Sequence, residues 1–353
     1  TLDRSSAASD VYKRQVKKWL RLIASLIVLL VLVYVFRDEL DFLREGFSRL
    51  SHSNPAAIAL VIIASIVAVL AMGEVMRLLI RAGGVKVPAS ETAALTLAAN
   101  AWSTTLPAGP AFSAILTFYV QRTWGASVML CGWFFVLSSA ISTMWLVLIG
   151  LGGVLFLNAD MALWSLIGTL VLMLALSGGL FWLTNHPDTI MRWLNRQKLI
   201  KGSKREALVD QVKNLEEVHL TRRQFGWVSF YSLANRLIDM VSLWGCVWAV
   251  TGHLPALHAG EDTTTMAGVA LAYLTAKLAG SAQVTPAGLG TVEAAIIATL
   301  VATGMTAVDA TGAAIIYRLI SFALITIIGW LIYFWHYARK GITYAALNRK
   351  ENA

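Results

Sequence analysis

The chain has 353 residues, 57% of them hydrophobic and only 14% charged, with a net charge of +9 and a mean hydropathy of +0.66. Soluble domains are about half apolar and about a quarter charged, so this composition excludes a chain folded around one water-soluble core. Cys131 and Cys246 sit inside apolar runs with no CxxC or Cys/His cluster, so neither a disulfide nor a metal is expected, and no cofactor motif appears. The basic residues lie in loops between apolar runs rather than on one soluble module, and membrane topology explains them better than nucleic acid does.

Residues 1–15 are polar and lack an initiator Met. They read as a non-native or disordered leader and are set aside. Beyond them, a helix needs about 20 apolar residues to cross a bilayer core of roughly 30 Å. Six stretches meet that need: 19–36, 56–80, 126–156, 162–183, 227–250 and 312–335. The 13 tryptophans, many near the ends of these runs, suit interfacial anchoring. After the first span, apolar residues recur every three or four positions through 37–53, which predicts an amphipathic helix on the membrane surface.

Two further apolar segments are interrupted. The run 89–122 is broken by Leu106-Pro107-Ala108-Gly109-Pro110, and the run 266–303 by Pro286-Ala287-Gly288-Leu289-Gly290. Each arm is too short to cross alone, and non-helical backbone at membrane depth persists only where protein encloses it or a wet cavity borders it. Both are expected to be re-entrant helical hairpins, with Pro107, Gly109, Pro286, Gly288 and Gly290 as the breaks. A kinked ordinary span or a surface loop is the competing reading. The expected fold is an all-α polytopic membrane protein with six full spans and two hairpins.

Clusters of Lys and Arg precede the first span, follow the second, fill the insert 185–225 and return in the tail 341–353, whereas 158–160 and 251–265 have none. The positive-inside rule then puts both termini of this multi-pass chain in the cytoplasm, an arrangement of the inner-membrane type. The domain scheme is a single transmembrane domain over 16–340, with a first half 16–184 and a second half 226–340 around the insert.

Sliding the chain against itself by 179 positions, the distance from Pro107 to Pro286, superposes both breaks without a gap. The same shift pairs Leu95-Thr96 with Leu274-Thr275, Gly125 with Gly304, Ile141-Ser142 with Ile320-Ser321 and Gly150 with Gly329. Three spans separate the hairpins, and an odd number inverts the second unit relative to the first. Inverted repeats with broken helices are the architecture of carriers that expose one site alternately to the two faces.

A charge at the bilayer centre costs at least about 2.5–3.5 kcal/mol on insertion scales, so ionisable residues in the spans call for a role. The fifth span has Asn235, Arg236 and Asp239; the second hairpin has Lys277 and Glu293; the sixth span has Tyr317 and Arg318. The first hairpin has Asn100 and Ser113, and the second span has Glu74 and Arg77. Arg236 with Asp239, three apart on one helical face, also reads as a neutralised structural pair, and Glu74 with Arg77 as an interfacial one. Lys277, Glu293 and Arg318 form the stronger substrate-binding candidate, joined by Arg236, Asp239 and Asn100. The arm after each break begins with unpaired N–H groups and a positive dipole end, which suits a phosphate. Glu293, in the first turn after its break, is expected to stabilise that helix start or to meet a cation or proton.

The run Pro286-Ala287-Gly288-Leu289-Gly290-Thr291-Val292-Glu293-Ala294, then Gly304 and Tyr317-Arg318-Leu319-Ile320-Ser321-Phe322, resembles the signature of the lysylphosphatidylglycerol synthase transmembrane region, a flippase-like family. Asn100 with the first break, and Asn235-Arg236-Leu237-Ile238-Asp239, resemble its other patches, particularly in the standalone actinobacterial branch. The resemblance implies an eight-segment module that moves an aminoacylated phosphatidylglycerol between leaflets. This chain departs from the pattern in having no soluble transferase domain after Lys340, so lipid synthesis is not expected, and in having Ser138-Ser139-Ala140 where many relatives carry charge.

The reading is therefore a carrier of an anionic, phosphate-bearing lipid, a phospholipid or a polyprenyl phosphate, that works without nucleotide and is not an enzyme. An intramembrane transferase or phosphatase is the first alternative. It would want a positioned base with a nucleophile or metal, yet five of the six histidines fall in loops and His336 at a span end. A non-transporting scaffold is the second, and a homo-oligomer stays open.

Overall fold

A computed structural model describes residues 53–106, 108–157, 171, 220–258, 260–282 and 288–338. They all belong to the compact unit His52–Ala353. The expected span 19–36, the span 162–183 apart from residue 171, the amphipathic stretch 37–53 apart from its last residue, nearly all of the insert, the tail, and the breaks Pro107 and Pro286 lie outside them. Every regular element among the described residues is helical.

The first is α1, Pro55–Ala82. It starts where Asn54 Oδ1 accepts the N–H groups of Ala56 and Ala57 at 3.0 and 3.4 Å, with Pro55 in the first turn where its missing N–H goes unneeded. Next come α2, Ala89–Thr105, and α3, Gly109–Thr123, the arms of the first broken segment. α4 is Val128–Leu157, and α5 is Arg222–Thr251. α5 opens on a capping box in which Thr221 Oγ1 takes the Gln224 N–H while Gln224 Oε1 takes the Thr221 N–H, and it ends at Gly252 in the left-handed conformation. The second broken segment gives α6, Met266–Ala282, and α7, Thr291–Ala302.

The last element, α8, runs Ala307–Ala338 and carries two π-helical stretches, Arg318–Leu324 and Tyr333–Ala338. Of these helices, α1, α4, α5 and α8 are long and apolar enough to cross a membrane. They match the second, third, fifth and sixth expected spans to within about five residues at each end; the sixth starts earlier because Thr306 caps it at Asp309.

α1 and α5 form a close antiparallel pair. Asn54 N–H donates to Ala249 O at one end, Ser65 Oγ meets Ser242 Oγ at 2.9 Å, and Asn235 Nδ2 donates to Ala68 O at 2.7 Å further along. Small residues permit this approach, as in membrane helix pairs generally. The first hairpin opens beside the end of α1 and the start of α5: Leu79, Val87, Val120, Val228 and Tyr337 share one buried cluster. The second opens at the other end of the pair, where Met266 N–H donates to Ala256 O just past Gly252. The open ends of the two broken segments thus lie at opposite ends of the α1–α5 pair.

The repeat spacing of 179 is visible in the backbone. Trp124, Gly125 and Ala126 donate to the carbonyls of Val120, Arg122 and Gln121; Thr303, Gly304 and Met305 donate to Thr299, Val301 and Leu300, each 179 residues on. Gly125 and Gly304 both hold positive φ, 91° and 110°. Ser127 Oγ then takes the Leu130 N–H at 3.0 Å to start α4, as Thr306 Oγ1 takes the Asp309 N–H at 3.1 Å to start α8.

Candidate functional site

The ionisable residues of the second half converge. Asp239 on α5 is 2.6 Å from Lys277 Nζ on α6, and its two oxygens also accept the phenol hydroxyls of Tyr317 (3.0 Å, α8) and Tyr273 (3.2 Å, α6). Lys277 Nζ lies 3.4 Å from the Tyr317 hydroxyl and 5.1 Å from the centre of the Tyr273 ring. One carboxylate therefore ties three helices together. Tyr317 is the last α-helical residue of α8 before the π stretch, and Arg318, the first residue of that stretch, faces α7 instead. Its Nε is 2.6 Å from Glu293 Oε1, and its guanidinium lies 4.3 Å from the Phe322 ring. Single π turns change which side chains face a neighbour and often mark functional positions.

Arg236 does not pair with Asp239. Its Nη2 donates to Ser142 Oγ on α4 at 2.7 Å, and its Nε is buried without a hydrogen-bond acceptor. Glu293 Oε2 is likewise buried without a donor. The geometry thus gives Asp239 the closer partner Lys277, whose Nζ reaches it at 2.6 Å, while Arg236 Nη2 reaches Ser142 of α4. Glu74 does take the Arg77 Nε at 2.7 Å, the neighbour pair the spacing implies.

The second hairpin is a close antiparallel unit. Thr264 meets Thr303 at 2.7 Å, and Thr275 meets Thr299 at 2.9 Å. At its tip, Gly288 (φ 66°) and Gly290 (φ 78°) turn the chain into α7, and a Cβ on Gly288 would lie 2.9 Å from Val292 Cγ2. Glu293 sits in the first turn of α7, where a carboxylate suits the dipole, and there it meets a cation, Arg318. In the first hairpin, Ala108 takes the left-handed conformation (φ 53°) and Gly109 packs directly under Ser103 O. Asn100 lies on α2, where its carbonyl accepts from Thr104 Oγ1 at 2.9 Å. Among the described residues no hydrogen bond or ion pair joins Asn100 to the ionic cluster.

Tyr273 and Ser142 are members of the cluster that sequence reading did not single out. Tyr273 stands four residues before Lys277 on one helical face, and that spacing was an available signal. Ser142 on α4 carried only its match to Ser321 at the 179-residue shift, which does not point to an ionic partner.

The cluster holds three cations, Arg236, Lys277 and Arg318, against two carboxylates, Asp239 and Glu293. A search of curated proteins gave no match. The profile of the lysylphosphatidylglycerol synthase TM region matches residues 21–329, which contain every residue of the cluster. With that match over most of its length, the chain belongs to the lysylphosphatidylglycerol synthase TM region family.

Proposed function

We propose that this lipid-related membrane protein is a carrier that takes the phosphate-bearing headgroup of a lipid at the ionic cluster and moves it between leaflets. The observation that carries the reading is a complementary pair of unmet atoms: the Arg236 Nε donor and the Glu293 Oε2 acceptor, both buried without partners. Buried polar groups are nearly always paired, and leaving one unmet costs about 1–3 kcal/mol, more when it is charged. A phosphate would satisfy the arginine, and a hydroxyl or amine on the same headgroup would satisfy the glutamate. The excess of cations over carboxylates favours a net negative guest, and either a phospholipid or a polyprenyl phosphate fits that description. An aminoacylated headgroup would bring its amine to Glu293.

Hairpins that open at opposite ends of the bundle support alternate exposure of one site. In this reading both are re-entrant, and the end bearing Arg81, Lys86, Arg122, Arg222 and Arg223 faces the cytoplasm of a bacterial inner membrane, with both termini on that side.

Reconstitution tests it: liposomes with tail-labelled phosphatidylglycerol, labelled phosphatidylcholine or a labelled polyprenyl phosphate, with leaflet exchange followed by a membrane-impermeant quencher. Exchange of an anionic lipid is expected to slow by at least about tenfold in Arg236→Gln and in Glu293→Gln, the loss of one charge-assisted hydrogen bond. Absence of protein-dependent exchange for every anionic lipid would reject the carrier. Chemical conversion of the lipid would turn the same site into that of an enzyme.

A further inference from the structure

A recess lies apart from the ionic cluster, at the mouth of the first hairpin, where the start of α2, the end of α3 and the end of α8 meet. Its volume is about 400 Å3, within the roughly 300–1,000 Å3 of ligand-binding clefts. Val87, Val120 and Tyr337 are its buried floor, and Lys86, Thr123 and Trp124 stand around it. Lys86 is exposed, and none of the ion pairs among the described residues includes it. The acidic group on the wall is already engaged: His336 Nε2 is 3.0 Å from both oxygens of Glu91, and Tyr337 donates to the Glu91 carbonyl at 3.2 Å. Lys86 is therefore the uncommitted charge of the recess. The neighbouring helix ends add Arg81 and Arg122, both exposed, so the local field is positive.

The setting matches the level of lipid headgroups. Trp335, one residue before His336, is 74% exposed, and Trp124 is half-buried, the placement of indoles at a membrane boundary. We propose that this recess binds a phosphate group, held by Lys86 Nζ, with Thr123 and the Trp124 ring beside it. The source is a phospholipid headgroup of the adjoining leaflet or free phosphate. The proposal does not depend on lipid transport at the ionic cluster.

The purified chain in detergent, as wild type, Lys86→Gln, Arg236→Gln and the double variant, is titrated with dihexanoyl phosphatidylglycerol and with inorganic phosphate. Binding is read by tryptophan fluorescence and checked by calorimetry. Lys86 is exposed, so its replacement leaves the fold intact. In the Arg236→Gln background, saturable binding of the short-chain lipid is expected to persist and to weaken at least about tenfold when Lys86→Gln is added. Displacement of that lipid by inorganic phosphate assigns a bare phosphate site; lipid binding that phosphate does not displace assigns the headgroup as the ligand. Equal affinity with and without Lys86→Gln overturns the proposal, and so does the loss of saturable binding once Arg236 is replaced, which leaves the ionic cluster as the place where phosphate binds.

Discussion

The two hairpins share a backbone and differ in chemistry. The turn that follows each repeats the same three hydrogen bonds, the same positive-φ glycine and the same hydroxyl cap 179 residues apart. Yet the positions that correspond to Lys277, Glu293, Tyr317 and Arg318 are Ala98, Ala114, Ser138 and Ser139. The first hairpin is held to α8 mostly by shape and hydroxyls, with one His336–Glu91 contact at its mouth. Gly329 packs directly on Leu97 O, Thr104 meets Thr326 at 3.0 Å, and Trp330 Nε1 donates to Thr105 at 3.1 Å. The second is held to α5 by the partly buried pair Asp239–Lys277 and to α8 by the largely buried pair Glu293–Arg318. A repeated scaffold therefore does not imply a repeated site. The frame is a matter of turn geometry, which recurs at the 179-residue spacing, while the charges sit at positions where the first half has Ala and Ser.

The opposed entry of the hairpins gives the largest expected effect, an all-or-none one. Cysteines introduced as Ser90→Cys at one hairpin mouth and Asp262→Cys at the other are expected to react with an impermeant thiol reagent from opposite faces of oriented vesicles. The two native cysteines are buried and give little background. Labelling of both from one face would end the inverted arrangement.

Breaking the ion pairs comes next. Arg318→Met leaves Glu293 buried without its cation and is expected to destabilise by about 3–5 kcal/mol, with much of the loss recovered when Glu293→Gln is added. Thermal unfolding in detergent reads this, and an unchanged midpoint in Arg318→Met would remove the pair from the structural account. Lys277→Gln is expected to cost less, about 1–3 kcal/mol, because Asp239 keeps two phenol donors.

The shape-held hairpin is probed by Gly329→Ala, whose new methyl must displace α2, at an expected cost of about 1–3 kcal/mol. On α4, a Cβ at Gly152 meets nothing within 4 Å, so Gly152→Ala is expected to be neutral or to stabilise by up to about 1 kcal/mol through helix propensity. If the two behave alike, close packing does not hold the first hairpin. The smallest effect is Ser142→Ala, about 0.5–1.5 kcal/mol from one hydrogen bond to Arg236. It sharpens the comparison, because Ser142 is how a helix of the first half touches the ions of the second.

The sequence by itself determined the helices and their interruptions. Hydropathy over about 20 residues, Pro and Gly at the breaks, and hydroxyl or amide caps are local properties, so α1, α4, α5 and α8 and the arms of both hairpins were legible along the chain. It also pointed to Lys277, Glu293, Arg318, Arg236 and Asp239, because charges in apolar runs stand out whatever their partners. Partnership was beyond its reach. Asp239 and Lys277 are 38 positions apart, and Arg236 and Ser142 are 94, so their meeting depends on how each helix is rotated about its axis and on the depth to which each hairpin is inserted. The recess beside Lys86 arises the same way, from three helix ends brought together by packing. Only the tertiary structure decides such matters, since a helix carries the positions of its own side chains in its sequence but not the face that a distant helix will present to them.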